Sequence, residues 1–382
     1  MRILYFTRDY TPHDHRFLSA IAASTHEVFS LRLERRGVQR EDRALPPGVQ
    51  PVRWLGGQRE ARWQDGLALR RDLRRVIAEV QPDVIHAGTI QTAAFLTALA
   101  GFRPLVSMSW GSDLLKDADR SRAWRWATRY TLRHTDILLG DCQAVSDKAQ
   151  SFGFPAERVV LFPWGVDLNH FSPAAASPLR ERLGWQDAFV LLSLRSWEPI
   201  YGVDVLLRAF ARAVRTQAQS GVQQPPLRLL LLGNGSQAPL IHHMVAENQL
   251  EACVHFGGQV NFDRLPEYYR TADLYVSASH SDGSSVSLME ALACGRPVLV
   301  SDIPGNCEWI TPGQTGWLFP DGDAAALADG MLRAADQAQH LPAVGRAARA
   351  LAEERADWHK NSQKLLAAYE RAAQMAGGRR GG

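Results

Sequence analysis

The stretch "ASHSDGSSVSLMEALACGRPVLVSD", residues 278–302, sets two carboxylates, Asp282 and Glu290, around a run of mostly small residues: Gly283, Ser284, Ser285, Val286 and Ser287. Small residues let a ligand come close to the backbone. The run also opens a helix-like segment, whose first turn exposes unpaired N–H groups and the positive end of a dipole, a setting that favours phosphate. Glu290, about two turns in, suits an acceptor of sugar hydroxyls. The plainer reading is that Asp282 or a serine caps the helix and Glu290 faces water. Two further loops share this layout. "LLSLRSWEPIYG" places Arg195 after an apolar run, where a guanidinium can hold a diphosphate at two points. "LLLLGNGSQAPL" places Asn234 and Gly235 after another. One G-x-G is weak; three such loops in one half of a chain are stronger.

These loops need a frame, and the chain supplies the same one twice. "RILYFT", "EVFSLRLE", "DVIHAG", "PLVSMSW", "TDILLGD" and "VVLFPWGVD" read as strands separated by amphipathic runs. After a Pro-, Ala- and Ser-rich break, "FVLLSLRS", "LRLLLLGNG", "VHFGGQ", "DLYVSAS", "RPVLVSD" and "TGWLF" repeat the rhythm. Strands alternating with helices predict an α/β fold of two Rossmann-like, doubly wound domains. The expected division is 1–170, 171–355 and a C-terminal helix at 356–376 that packs back on the first domain, with "GGRRGG" as an unstructured end. In open parallel sheets ligands collect at the carboxyl ends of strands. That rule adds His13, Asp14 and His15 in "TPHDHRF", His86 in "DVIHAG", and Asp141 in "LLGDC" to the candidates.

The second half resembles the C-terminal domain of retaining GT-B glycosyltransferases of the GT4-like group. Their "S-x-x-E-G-F-G-L-P-x-x-E-A-x-A-x-G-x-P-V" aligns with "SHSDGSSVSLMEALACGRPV", placing Asp282 and Glu290 at the two acidic positions. "PWGVDLNHFSP", "LLGNG", "HFGGQV" and "GNCEWITPGQTGWLF" extend the likeness over nearly the whole chain. It implies a GT-B fold with the two domains facing across a cleft. It also implies a nucleotide-sugar donor, a saccharide, lipid-linked or other hydroxyl acceptor, and no metal or cofactor. By the same likeness Arg195, Tyr201, Asn234, Gly235, Asp282, Gly283 to Ser287 and Glu290 bind the donor, Glu290 at the ribose and Asp282 at the sugar. Arg195, Asp282 and Asp113 would serve catalysis, and front-face displacement is the expected route. Two positions depart from the family: Tyr201 stands where a lysine is usual, and Trp110 where a histidine is usual. Asp113, two residues after Gly111 in "SWGSD", is retained. His13, Asp14, His15, Trp110 and Gly111 are the acceptor-side expectation, with a helix cap as the plain reading of "TPHDH".

Composition narrows the class. Of 382 residues, 46% are hydrophobic and 22% charged, as in ordinary globular proteins. No apolar run reaches ~18 residues, and "MRILYFTRDY" reads as a strand, not a leader, so a cytoplasmic protein is expected. Cys142, Cys253, Cys294 and Cys307 form no metal-like spacing. Residues 1–170 hold 24 Lys and Arg against 19 Asp and Glu, whereas the remainder holds 19 against 21. In "DRSRAWRWATRYTLRHTD", Arg122, Arg125, Arg129 and Arg133 recur on one helical face beside Trp126 and Tyr130, a pattern that suits peripheral contact with an anionic membrane. No nucleic-acid signature accompanies the charge. Two alternatives on the same frame are a nucleotide-sugar epimerase and a non-catalytic nucleotide-sugar-binding protein.

Overall fold

The computed structural model describes residues 1–33, 41, 43–60, 62–174, 177–221 and 224–380. The chain divides into two compact units, Met1–Phe162 with His359–Gly382, and Pro163–Trp358.

The first unit is built on seven strands: β1 (Arg2–Thr7), β2 (Glu27–Arg32), β3 (Val49–Pro51), β4 (Val84–Gly88), β5 (Leu105–Met108), β6 (Ile137–Gly140) and β7 (Val159–Leu161). They lie in the order β3-β2-β1-β4-β5-β6-β7, all parallel, with Ile3 opposite both Val28 and Val84. Helices cover both faces of such a sheet, so the central strands are continuous apolar runs; β4, β5 and β6 are buried at every residue. Leu69, Leu73 and Val76 of helix Gly66–Val80 pack with Phe6, Ile85 and Leu105 in one core. The C-terminal helix Trp358–Arg380 buries Leu365, Ala368, Tyr369 and Ala372. It docks through a buried hydrogen bond of 2.6 Å between the Tyr369 hydroxyl and His86 Nδ1 on β4. His86 is therefore interior to the sheet, and burial pushes its pKa down to about 3. The end expected to be unstructured continues the helix to Arg380; Gly381 and Gly382 lie outside the described residues.

The second unit carries β8 (Phe189–Ser193), β9 (Leu227–Leu232), β10 (Val254–Gly258), β11 (Leu274–Ser277), β12 (Val298–Ser301) and β13 (Gly316–Phe319), in the order β10-β9-β8-β11-β12-β13. These too are parallel. Phe210, Leu229, Val276 and Met331 meet in its core, joining helices Val203–Ser220 and Ala324–Asp336 to the sheet. Strand order reverses direction at β8 and β11, which pair directly through Leu191–Leu274 and Leu192–Tyr275. That reversal is the switch point at which the loops on either side diverge and leave a crevice at the carboxyl ends.

Candidate active site

Arg195 leaves the carboxyl end of β8, and Asp282 follows β11, so the two strands flanking the switch point deliver both residues to one place. The Arg195 guanidinium donates to Asp282 Oδ2 at 2.5 Å, to Ser285 Oγ at 2.7 Å and to Ser287 Oγ at 3.0 Å. Its planar fork lies over the Tyr201 ring, 4.2 Å from the centroid. Burial works against the guanidinium's charge, but the Asp282 carboxylate and the Tyr201 and Tyr275 hydroxyls more than offset it and hold the group protonated.

The helix carrying Glu290, Val286–Ala293, starts at Ser285, which makes no side-chain cap. The serine hydroxyl is turned to Arg195 instead, so the helix-cap reading of this loop does not hold. Nor does Glu290 face water. It is buried, and its Oε2 accepts from the Tyr269 hydroxyl at 2.7 Å. The same hydroxyl lies 3.1 Å from the Ser287 carbonyl, and the Tyr275 hydroxyl lies 2.8 Å from Ser287 Oγ. One network therefore runs from Glu290 through Tyr269, Ser287 and Tyr275 to Arg195 and Asp282. Burial first, and then the Glu290 charge, push the Tyr269 phenol well above its ordinary range, so it remains a hydrogen-bond donor.

The rest of the loop is fixed by close backbone packing. Gly283 is buried and lies so near Gly305 that a Cβ there would sit 2.2 Å from the Gly283 carbonyl. Ser284 Oγ accepts from Trp309 Nε1 at 3.1 Å, and Val286 opens the helix, partly exposed. Asn234 and Gly235 are brought to the same strand ends. The Asn234 carbonyl accepts from the Trp197 amide at 2.9 Å, and a Cβ on Gly235 would meet the Trp197 carbonyl at 2.5 Å. The glycine there is required by this approach, which fastens the β9 loop to the segment carrying Arg195. Gly202 has φ 58°, and a Cβ would stand 2.1 Å from the Ala278 carbonyl, so the turn holding Tyr201 also depends on glycine.

The first unit treats its candidates differently. Asp14 is buried inside a capping box: Thr11 N–H and hydroxyl donate to Oδ2 at 2.8 and 2.5 Å, and the Tyr5 hydroxyl to Oδ1 at 2.8 Å. Burial pushes its pKa up to about 6 against those hydrogen bonds. The helix cap is the structural role of Asp14, in place of the acceptor-side position expected for it. His13 does meet Trp110, with ring centroids 5.2 Å apart. His15 points elsewhere, toward Ser19 and Tyr10. Asp113 accepts from the Ile90, Trp110 and Leu114 amides, each at 3.0 Å, and from the Ser109 hydroxyl at 2.6 Å. This buried carboxylate holds the Trp110–Gly111 turn, where Gly111 has φ 85°, against the loop after β4.

Sequence reading did not single out Tyr269, Tyr275 and Trp309, whose hydroxyls and indole support the 282–290 loop. It also missed a cavity of ≈ 640 Å³ at the carboxyl ends of β1, β2 and β3, lined by Tyr10, Arg32, Glu41, Arg43, Arg53 and Trp54 among others. Arg43 forms a two-point pair with Glu41 there. The arginine excess of the first 170 residues was the one signal pointing to it. Among the described residues no group of His, Cys, Asp and Glu could hold a metal ion, and no helix is long and apolar enough to cross a membrane.

Comparison with known proteins places this arrangement. Residues 177–364 match the family described as glycosyl transferases group 1, and residues 13–170 match Glycosyltransferase Family 4. A D-inositol 3-phosphate glycosyltransferase of Geodermatophilus obscurus is 32% identical over 231 residues, 58% of this chain and 49% of that protein. The amylovoran biosynthesis glycosyltransferase AmsK of Erwinia amylovora is 28% identical over 62% of this chain and 57% of its own length. The matches thus span about half the length of these curated relatives. Anabaena HepE, solved with UDP-glucose, superposes with a TM-score of 0.78 over 97% of this chain and all of that one, at 23% identity. The fold is GT-B, and with the two family matches together spanning nearly its whole length, the chain belongs to the GT4-like, group 1 glycosyltransferases.

Proposed function

We propose that this protein is a retaining glycosyltransferase that moves a sugar from a nucleotide-activated donor to a hydroxyl of a saccharide, lipid-linked or similar acceptor. The observation that carries this reading is the Arg195–Asp282–Ser285–Ser287 cluster joined through Tyr269 to a buried Glu290. The UDP-glucose held by HepE on the same fold supports a nucleotide sugar as donor.

In this reading Glu290 receives the ribose hydroxyls, while Arg195, with the N–H groups of the first helical turn after Ser285, receives the diphosphate. Departure of the nucleotide builds negative charge on the phosphate beside Arg195, and a prearranged cation costs no reorganisation at that moment. Asp282, now paired to Arg195, yields that partner to the phosphate and turns to the sugar, which becomes oxocarbenium-like. The acceptor hydroxyl attacks from the face the nucleotide leaves, and its proton passes to the leaving phosphate. Charge stabilisation comes from the chain itself, and the reading requires no metal. Tyr201 takes no phosphate in place of the family lysine; its ring supports the guanidinium. The acceptor falls to the first unit, where the His13–Trp110 pair and the arginine-lined cavity offer polar and cationic contacts. We place the protein at the cytoplasmic side of a membrane, in peripheral contact through helix Arg122–His134.

A proton NMR time course tests the reaction: UDP-glucose is incubated with the protein and a panel of sugar, inositol 3-phosphate and polyprenyl-linked acceptors. The account expects UDP release and an α-linked product. A β-linked product would overturn retention. A new hexose conjugate formed without acceptor would favour the epimerase, and bound but intact donor the non-catalytic alternative.

A further inference from the structure

The second unit has a larger cavity, ≈ 890 Å³, at the opposite edge of its sheet from Arg195. Its wall is made where strands begin: Asp187 and Ala188 before β8 with Phe189 at its start, Asp273 before β11, and Arg296 and Pro297 before β12. These strands are four or five residues long, so the two edges lie roughly 13–17 Å apart at the usual rise of ~3.3 Å per residue. Four arginines line the cavity, Arg180, Arg296, Arg346 and Arg349, against two aspartates.

Two of the four are committed to the fold. Arg180 pairs with Asp273 at 2.6 Å, and Arg349 donates to the carbonyls of Phe171 and Ala293 at 2.9 and 2.7 Å. The other two have no carboxylate partner among the described residues. Arg296 gives one hydrogen bond, from Nη1 to the Ala272 carbonyl at 3.0 Å, and its buried Nε meets no acceptor. A buried guanidinium N–H without an acceptor is costly, and burial lowers the pKa of Arg296; Cys294 and Asp273 work in the other direction, and Arg180 and Arg270 add to the lowering. Arg346 is exposed and makes no ion pair among the described residues. Between them begins helix Leu341–Arg355, whose positive dipole end borders the same space, although Leu341 N–H is bonded to the Ala338 carbonyl and Pro342 has no N–H to offer. Gly345 brings this helix so near the loop that a Cβ there would stand 2.3 Å from the Gly295 carbonyl.

We propose that this cavity is a second anion site, distinct from the Arg195 cluster, which takes a phosphate-bearing small molecule between Arg296 and Arg346. The loop that forms its wall, Cys294 to Pro297, leaves the end of the helix that carries Glu290, so occupancy acts on the frame of the donor site. Inorganic pyrophosphate is the probe, titrated calorimetrically into full-length Arg195→Ala, which disables the diphosphate grip of the first site, with Glu290→Ala as a parallel background. Binding is expected to persist in both and to weaken ~10-fold or more when Arg346→Gln or Arg296→Gln is added, the loss of one charge-assisted contact. Arg346 is exposed and unpaired, so its replacement leaves the fold intact and keeps the comparison sound. Loss of all binding in Arg195→Ala and Glu290→Ala, or undiminished binding after both added changes, would overturn the proposal. The titration needs no turnover, so its outcome does not depend on the transferase reading.

Discussion

Arg195 is the residue on which most of the site converges, because its guanidinium joins the two strand ends of the switch point through Asp282, Ser285 and Ser287. If it stabilises the departing diphosphate, Arg195→Ala should lower kcat by ~10²-fold or more in steady-state assays. A rate near that of the parent would remove it from the reaction. Tyr201 offers a finer test. Because its ring, 4.2 Å beneath the guanidinium, is the part that matters here, Tyr201→Phe should stay within about twofold of the parent kcat/KM. Tyr201→Ala should lose up to ~10-fold, in keeping with ~0.5–2 kcal/mol for a cation–π contact. Equal losses in both variants would mean that the hydroxyl acts on the donor after all.

At the scale of the element, the first turn of helix Pro12–Ala22 carries a measurable pH signature. Asp14 titrates at about 6 in the folded chain against an ordinary 3.8. A carboxyl with a raised folded pKa binds its proton more tightly when folded. Its stabilising contribution is therefore full below about 3.8 and lost as pH rises through 6, on the order of 3 kcal/mol across that window. Asp14→Asn removes the titration, so its stability relative to the parent should rise between pH 4 and pH 7 in urea unfolding. A difference that stays flat with pH would show that Asp14 is not the titrating group. The same residue marks a limit of sequence reading. Polar residues after a first strand look alike whether they cap a helix or meet a ligand, and burial, which sequence does not print, separates the cases. Strands β4 to β6 and β8 to β13 were legible as apolar runs between turn residues, whereas β3 is three residues long with a proline and gives no such pattern. Asp282 to Glu290 were legible because their spacing is local. Tyr269 was not, because its bond to Glu290 spans 21 positions and depends on how the helix before β11 packs.

For the whole molecule, the arginine asymmetry between the halves acquires a location. Arg122, Arg125, Arg129 and Arg133 are all exposed on helix Arg122–His134, and Trp126 is 58% exposed beside them. Arg125 is held by Asp119 at 2.6 Å, which leaves Arg122 and Arg129 with Trp126 as the residues to change. Arg122→Glu with Arg129→Glu should reduce co-sedimentation with vesicles rich in anionic lipid by several-fold at low salt, since each basic residue near such a surface contributes ~1 kcal/mol. Equal sedimentation of variant and parent would sink the membrane contact. The central claim, a nucleotide-sugar site organised around Glu290, is reached most directly by thermal unfolding in the presence of UDP, GDP, ADP, CMP and their common sugar conjugates, with the parent and Glu290→Ala side by side. The account predicts that one nucleotide family raises the parent's Tm by an amount set by its affinity, and that the variant loses the shift. A shift of equal size in Glu290→Ala, or none from any nucleotide in the parent, would contradict it.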